Sequence, residues 1–82
     1  VKIKLSRHVR NNMRLYGILE EEILESIQKP DHREKEGGRI IVLKSFHGRF
    51  SGFPLKVVCG KGGNEFFIIT AYPLKKSYRG KT

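Results

Sequence analysis

Residues able to move protons or hold phosphate gather near the start of the chain, where Ser6-Arg7-His8 is followed by Arg10 and Arg14. Near neutral pH a histidine can both take and give a proton. RNA can be cut without a metal ion when its own 2′-hydroxyl attacks the neighbouring phosphate. That reaction needs a base, an acid and cations close to the developing charge, and His8 with the nearby arginines could supply them. A histidine that only caps or hydrogen-bonds at a helix start is the plainer alternative, and the local sequence by itself favours it. Arg7, Arg10 and Arg14 follow the spacing i, i+3, i+7, so on a helix they lie together, and guanidiniums grouped in this way can grip phosphate oxygens bidentately. An ordinary solvated face is the competing reading. No glutamate stands four residues after any of the three to neutralise it, which tips the balance toward phosphate.

Other chemistry-bearing residues form weaker patterns. His32, His47 and Cys59 complete the usual ligand inventory with His8, but no two of the four lie within five residues and their spacing matches no zinc pattern, so no metal and no cofactor is expected. Gly60-Lys61-Gly62-Gly63 lacks the spacing and the following helix of a phosphate-binding loop and reads as a turn. Phe46, Phe50 and Phe53, interleaved with His47 and Arg49, could stack on bases or fold back over a small core, the reading preferred in so short a chain. Tyr72, Lys75, Lys76, Tyr78 and Arg79 crowd the C-terminal end, where tyrosine beside lysine or arginine suits phosphate; a solvated basic tail is the alternative.

The composition points the same way. Seventeen Lys and Arg against eight Asp and Glu give a formal charge of +9 over 82 residues. The excess is uneven: residues 41–82 hold eight basic residues and a single acid, Glu65. A lopsided basic field attracts phosphate polyanions, and RNA is the partner expected; solubility, or masking by an acidic protein, is the bland alternative. The most apolar stretch, residues 65–72, is too short to span a bilayer, no apolar run follows the basic N-terminus as a secretory signal requires, and Cys59 is the lone cysteine. Together these suit a cytoplasmic protein with no membrane partner.

These residues must be held by a small set of elements. Lys2 to Leu5 alternates and reads as a short edge strand. Ser6 is placed to cap a helix over Arg7 to Tyr16, with Val9, Met13 and Tyr16 as its apolar stripe and Gly17 as its terminator. A second helix over Leu19 to Gln28 buries Ile18, Leu19, Ile23, Leu24 and Ile27, opens with Glu20, Glu21 and Glu22 against the helix dipole, and closes at Pro30. Asp31 to Gly38 is charged and turn-rich and reads as exposed loop. Arg39 to Lys44, Leu55 to Cys59 and Glu65 to Tyr72 read as strands, the last two joined by a turn over Gly60 to Asn64. A block of helices followed by a block of strands argues an α+β fold, with two N-terminal helices packed on an antiparallel sheet of three to four strands. Residues 1–74 form the expected single domain, and 75–82 a mobile basic tail. At this length the chain can bury roughly 60–65% of its unfolded surface, enough for one core.

Read in order, Ser6-Arg7-His8, Arg14, Gly17-Ile18, Pro30, Leu55-Lys56-Val57-Val58 and Ile68-Ile69-Thr70-Ala71-Tyr72 resemble a family of small, mostly bacterial domains of unknown function grouped with RelE/ParE-type toxins, barnase-like nucleases and colicin-type ribonucleases. The resemblance runs from about Lys2 to Tyr72. It implies a RelE-like fold and a metal-independent endoribonuclease, free or ribosome-associated, or the toxin of a toxin–antitoxin pair with an acidic antitoxin as partner. By position it implies a catalytic set of His8, Arg14, Thr70 and Tyr72. The charge pattern, not the resemblance, adds Arg7, Arg10, Lys56, Lys75, Lys76 and Arg79 as RNA-binding cations; the basic tail after Tyr72 lies outside the shared pattern. The alternatives are a non-enzymatic basic module contacting nucleic acid or an acidic protein, and a toxin that acts by binding a protein target.

Overall fold

The computed structural model describes residues 2–75. The chain opens with strand β1 (Lys2–Leu5), turns at Ser6 into helix α1 (Arg7–Tyr16), continues through helix α2 (Glu20–Gln28), and then runs strands β2 (His32–Glu36), β3 (Arg39–Lys44), β4 (Leu55–Gly62) and β5 (Glu65–Pro73). A short 3₁₀ turn at Phe50–Gly52 interrupts the connection between β3 and β4.

Local chemistry sets the helix limits. The Ser6 hydroxyl accepts from the Val9 amide at 3.1 Å, and Gly17 takes the left-handed conformation at φ 68°, where a residue without a Cβ carries no penalty. α2 starts one residue later than its sequence suggests, with Leu19 as cap. There the Glu22 carboxylate reaches back to accept from the Leu19 amide at 2.9 Å, a carboxylate over the positive end of the helix.

The sheet corrects the expected architecture. It has five strands in the order β1-β5-β4-β3-β2 and is mixed, not an antiparallel sheet of three to four strands. β1 pairs parallel with β5, Lys2 opposite Glu65 through Leu5 opposite Ile68. Two helices intervene and four strands then meander, so the last strand returns alongside the first in the same direction. The second correction is β2. Its residues His-Arg-Glu-Lys-Glu contain nothing apolar and are all exposed, yet they pair in register with β3 from His32–Leu43 to Glu36–Arg39. Gly37 and Gly38, both at positive φ, make the two-residue turn between them, the geometry whose twist matches a hairpin. The β4–β5 hairpin is also tighter than expected: pairing continues to Gly62–Glu65.

One face of the sheet takes the helices. Val9, Ile18 and Ile23 pack with Ile40, Val42, Leu55, Val57, Cys59, Ile68 and Ala71, while Met13, Ile27, Phe46 and Phe50 close the margin. Leu19 and Tyr16, expected on buried stripes, are substantially exposed. The opposite face carries Ile41, Leu43, Lys56, Val58 and Tyr72, neighbours through the β3–β4 and β4–β5 registers. Among the described residues, no helix is long and apolar enough to cross a membrane.

Candidate functional site

β1 covers the edge of β5 only as far as Ile68. Beyond it the free carbonyls of β5 would need other partners, and α1 supplies them. The Ser6 amide donates to the Ile68 carbonyl at 3.4 Å, the Ser6 hydroxyl to the Ile69 carbonyl at 3.2 Å, and the Asn12 carboxamide to the Ala71 carbonyl at 3.2 Å. The register shifts here: Val58 faces Thr70 while Cys59 faces Ile68, so Ile69 is an extra residue in β5. Such a bulge re-aims the side chains beside it.

The result is a polar cluster at the α1–β5 seam. His8 Nε2 lies 3.1 Å from Thr70 Oγ1, and Asn12 Nδ2 donates to the same oxygen at 3.4 Å. His8 and Asn12 are one helical turn apart and so share a face. A hydroxyl oxygen has two acceptor sites and one proton. Thr70 can therefore accept from both Asn12 and a protonated Nε2, leaving Nδ1 unprotonated in the neutral ring, or it can give its own proton to a bare Nε2. Both arrangements hold the imidazole in one orientation. His8 is exposed and Thr70 and Asn12 are half-buried, so the cluster is open to a ligand.

The other expected residues fall elsewhere. Arg14 is exposed in the last turn of α1; six residues of helix place it about 9 Å along and ~120° around from His8. Among the described residues no hydrogen bond joins it to His8, Thr70 or Tyr72. Tyr72 stands opposite Lys56, whose ammonium lies 5.7 Å from its ring centroid, on the sheet face turned away from the core. Arg7 and Arg10 are exposed on α1. Lys75 ends the described chain beside a groove, whereas Lys76, Tyr78 and Arg79 lie outside the described residues. Two participants carried no local signal. Asn12 could have been found only as the residue four after His8. Arg49, read in the sequence only as a cation interleaved with the three phenylalanines, forms an ion pair across 27 residues of sequence.

That ion pair fixes the loop next to the seam. Arg49 Nε meets Glu22 Oε2 at 2.6 Å, its Nη2 meets Glu22 Oε1 at 2.9 Å, and the same Nη2 donates to the Gly17 carbonyl at the end of α1. The Arg49 hydrogen bond holds the buried Glu22 carboxyl below its ordinary pKa, outweighing the opposing effect of burial. Phe46 and Phe50 fold onto the core edge, with ring centroids 6.4 Å apart, while Phe53 is partly exposed. Phe50 and Ser51 both sit at φ 55°. Left-handed backbone at a non-glycine residue costs about 1–3 kcal/mol, and the Arg49 contacts sit directly before it. Burial raises the Cys59 thiol's pKa, slightly opposed by Arg33, so the thiol resists ionisation. No group of three potential metal ligands occurs among the described residues.

The family model described as Domain of unknown function (DUF4258) covers residues 5–73, a span that holds every residue of the seam. No curated protein and no solved structure matches the chain.

Proposed function

The chain belongs to the DUF4258 family, and we propose that it binds RNA along the α1–β5 seam and cleaves it without a metal ion, with His8 as the acid–base group. The observation carrying this reading is the convergence of His8 Nε2 and Asn12 Nδ2 on Thr70 Oγ1 in an exposed seam, on a chain of net charge +9. The order of motifs resembling RelE/ParE-type toxins and barnase-like nucleases supports it, and an acidic antitoxin would find the same cations. With Nε2–H donating to Thr70, the Nδ1 lone pair takes the proton of the ribose 2′-hydroxyl. The 2′-oxygen then bonds to phosphorus, the bond from phosphorus to the 5′-oxygen breaks, and the 5′-oxygen takes a proton from solvent. The products are a 2′,3′-cyclic phosphate and a 5′-hydroxyl. Arg7 and Arg10 draw in the backbone. Arg14 acts at longer range, and Tyr72 with Lys56 lies outside the reacting centre.

The test is cleavage of a generic RNA in EDTA by the parent and His8→Ala proteins. Loss of a positioned acid–base group lowers the rate roughly 10²–10⁴-fold. Equal cleavage by His8→Ala removes His8 from the reaction. A parent that cuts nothing, with or without ribosomes, gives the lead to a non-enzymatic basic binding module. One observation favours that second reading: Ser6, Asn12 and Thr70 also serve simply to tie α1 to β5.

A further inference from the structure

The polar seam runs directly into an apolar groove. Leu15 and Tyr16 lie one turn beyond Asn12 on α1, and Pro73 lies just past Thr70 and Ala71 on β5. With Phe50, Ser51, Phe53 and Lys75 they line one hollow. Its walls are unusually open for apolar side chains: Leu15 is 72% exposed, Tyr16 39% and Phe53 37%. An aromatic ring left half in water on a chain this short is not needed for the core. The floor is built with care: the Arg49–Glu22 pair and the bond to the Gly17 carbonyl pin the loop, and the guanidinium lies 4.8 Å from the Phe50 ring centroid. The strained pair Phe50 and Ser51 belongs to this floor. Strained backbone over-determined by its surroundings is typical of ligand sites. The charged residue among the lining residues is a cation, Lys75.

We propose that this groove is a nucleobase subsite, taking a base of a single-stranded RNA by stacking against Tyr16 or Phe53 while Lys75 meets the adjoining phosphate. The inference rests on the RNA reading and specifies how the strand is placed. Seven residues of helix separate His8 from Leu15, about 10 Å along the axis, so the stacked base belongs to a nucleotide next to, or one beyond, the phosphate held at His8. Flat π-faces bind such walls whatever the base, with the largest area for purines. A cationic rim beside aromatic walls is the pairing that single-stranded nucleic acids require, whereas a double helix hides its base faces.

The experiment compares binding of the parent to a short oligoadenylate and to inorganic polyphosphate of matched charge, at one salt concentration. Stacking of one base corresponds to roughly tenfold tighter binding of the oligoadenylate. Tyr16→Ala and Phe53→Ala should lose most of that preference and keep their affinity for polyphosphate. Leu15→Gln, at a side chain too exposed to matter for folding, should lower the preference in part. Equal binding of the two polyanions by the parent overturns the subsite and leaves RNA binding standing. A preference that survives all three variants also overturns this groove as its source. Binding of neither polyanion overturns the RNA reading and the subsite with it.

Discussion

The sheet has two edges, and they are protected by opposite means. At the β5 side, β1 pairs with the first half of the strand and α1 caps the second half through Ser6 and Asn12. At the far side, β2 is left open and every residue from His32 to Glu36 is exposed. A bare edge can template pairing with another chain, and charged residues along it prevent that. Each edge holds one histidine in contact with an oxygen: His8 with Thr70 at 3.1 Å, His32 with Glu34 at 3.0 Å. The contacts have similar lengths but different surroundings. His8 is braced from a helix against a bulged strand with Asn12 beside it, whereas His32 meets a neighbour two residues along its own strand. A site needs side chains whose positions are fixed by more than one element, and the His8–Thr70 contact, made between a helix and a strand, meets that condition.

The largest expected effect separates the two histidines. Thr70→Val keeps the shape of the side chain and removes the hydroxyl that receives Asn12 and His8. If that hydroxyl positions the imidazole, RNA cleavage should fall by up to ~10²-fold, with thermal stability changed far less. Glu34→Gln, the matching change at the other edge, should leave the rate alone. Equal rates for Thr70→Val and the parent would mean that His8 needs no such support.

Next in size is the electrostatic contrast. Reversing Arg7 and Arg10 to Glu should weaken RNA binding for all sequences and flatten its dependence on salt, by about 0.7 in log–log slope for each phosphate that is no longer neutralised. Reversing Arg33 and Lys35 on β2 should flatten it less. A uniform response would mean that net charge matters and its placement does not.

The contrast between edges also explains what was legible in the sequence. Ser6, Gly17 and Pro30 act on their immediate neighbours, so α1 and α2 could be bounded from residue types. Arg39 to Lys44 and Glu65 to Tyr72 carry their own β-branched or aromatic signal. β2 carries none, because a strand exposed on both faces has no apolar period. Its only mark was Gly37-Gly38 between a charged run and the apolar strand from Arg39 to Lys44. The parallel pairing of β1 with β5 joins residues some sixty positions apart and leaves no local trace. For the same reason the residues around His8 do not say what it meets: Thr70 entered only through the family resemblance and Asn12 not at all, since sheet order and a bulge bring Thr70 to the helix, just as the path of a loop brings Arg49 to Glu22.

A smaller effect tests the two means of protection. Asn12→Ala should lower stability by about 1 kcal/mol, the usual worth of a hydrogen bond, because it frees the Ala71 carbonyl at the capped edge. It should not cause self-association. Arg33→Val with Lys35→Ile should do the reverse, leaving the folded monomer nearly as stable while promoting edge-to-edge association, visible by sedimentation. Association of the Asn12 variant instead would mean that α1 was the barrier to strand pairing.

The smallest effect at neutral pH, and one that grows only in acid, concerns the two carboxylates that hold these regions. Glu22 is buried against Arg49, and that hydrogen bond pulls its pKa below the ordinary value of 4.5. Glu34 faces His32 in the open, with side chains about half exposed. A carboxyl with a lowered folded-state pKa stabilises the fold fully above its unfolded value and loses that contribution as pH falls through the folded one, because the unfolded chain takes up the proton first. Urea unfolding of the parent should therefore show stability declining as pH drops below about 4.5. Glu22→Gln keeps an oxygen to accept from the Leu19 amide and from Arg49 but no longer titrates. Its stability near pH 7 should be modestly lower, and its decline in acid shallower, so the two curves converge. Glu34→Gln should follow the parent throughout, since an exposed pair of this kind is worth little. If the Glu22 variant declines as steeply as the parent, acid sensitivity lies in other carboxyls and the Arg49 clamp does not set it.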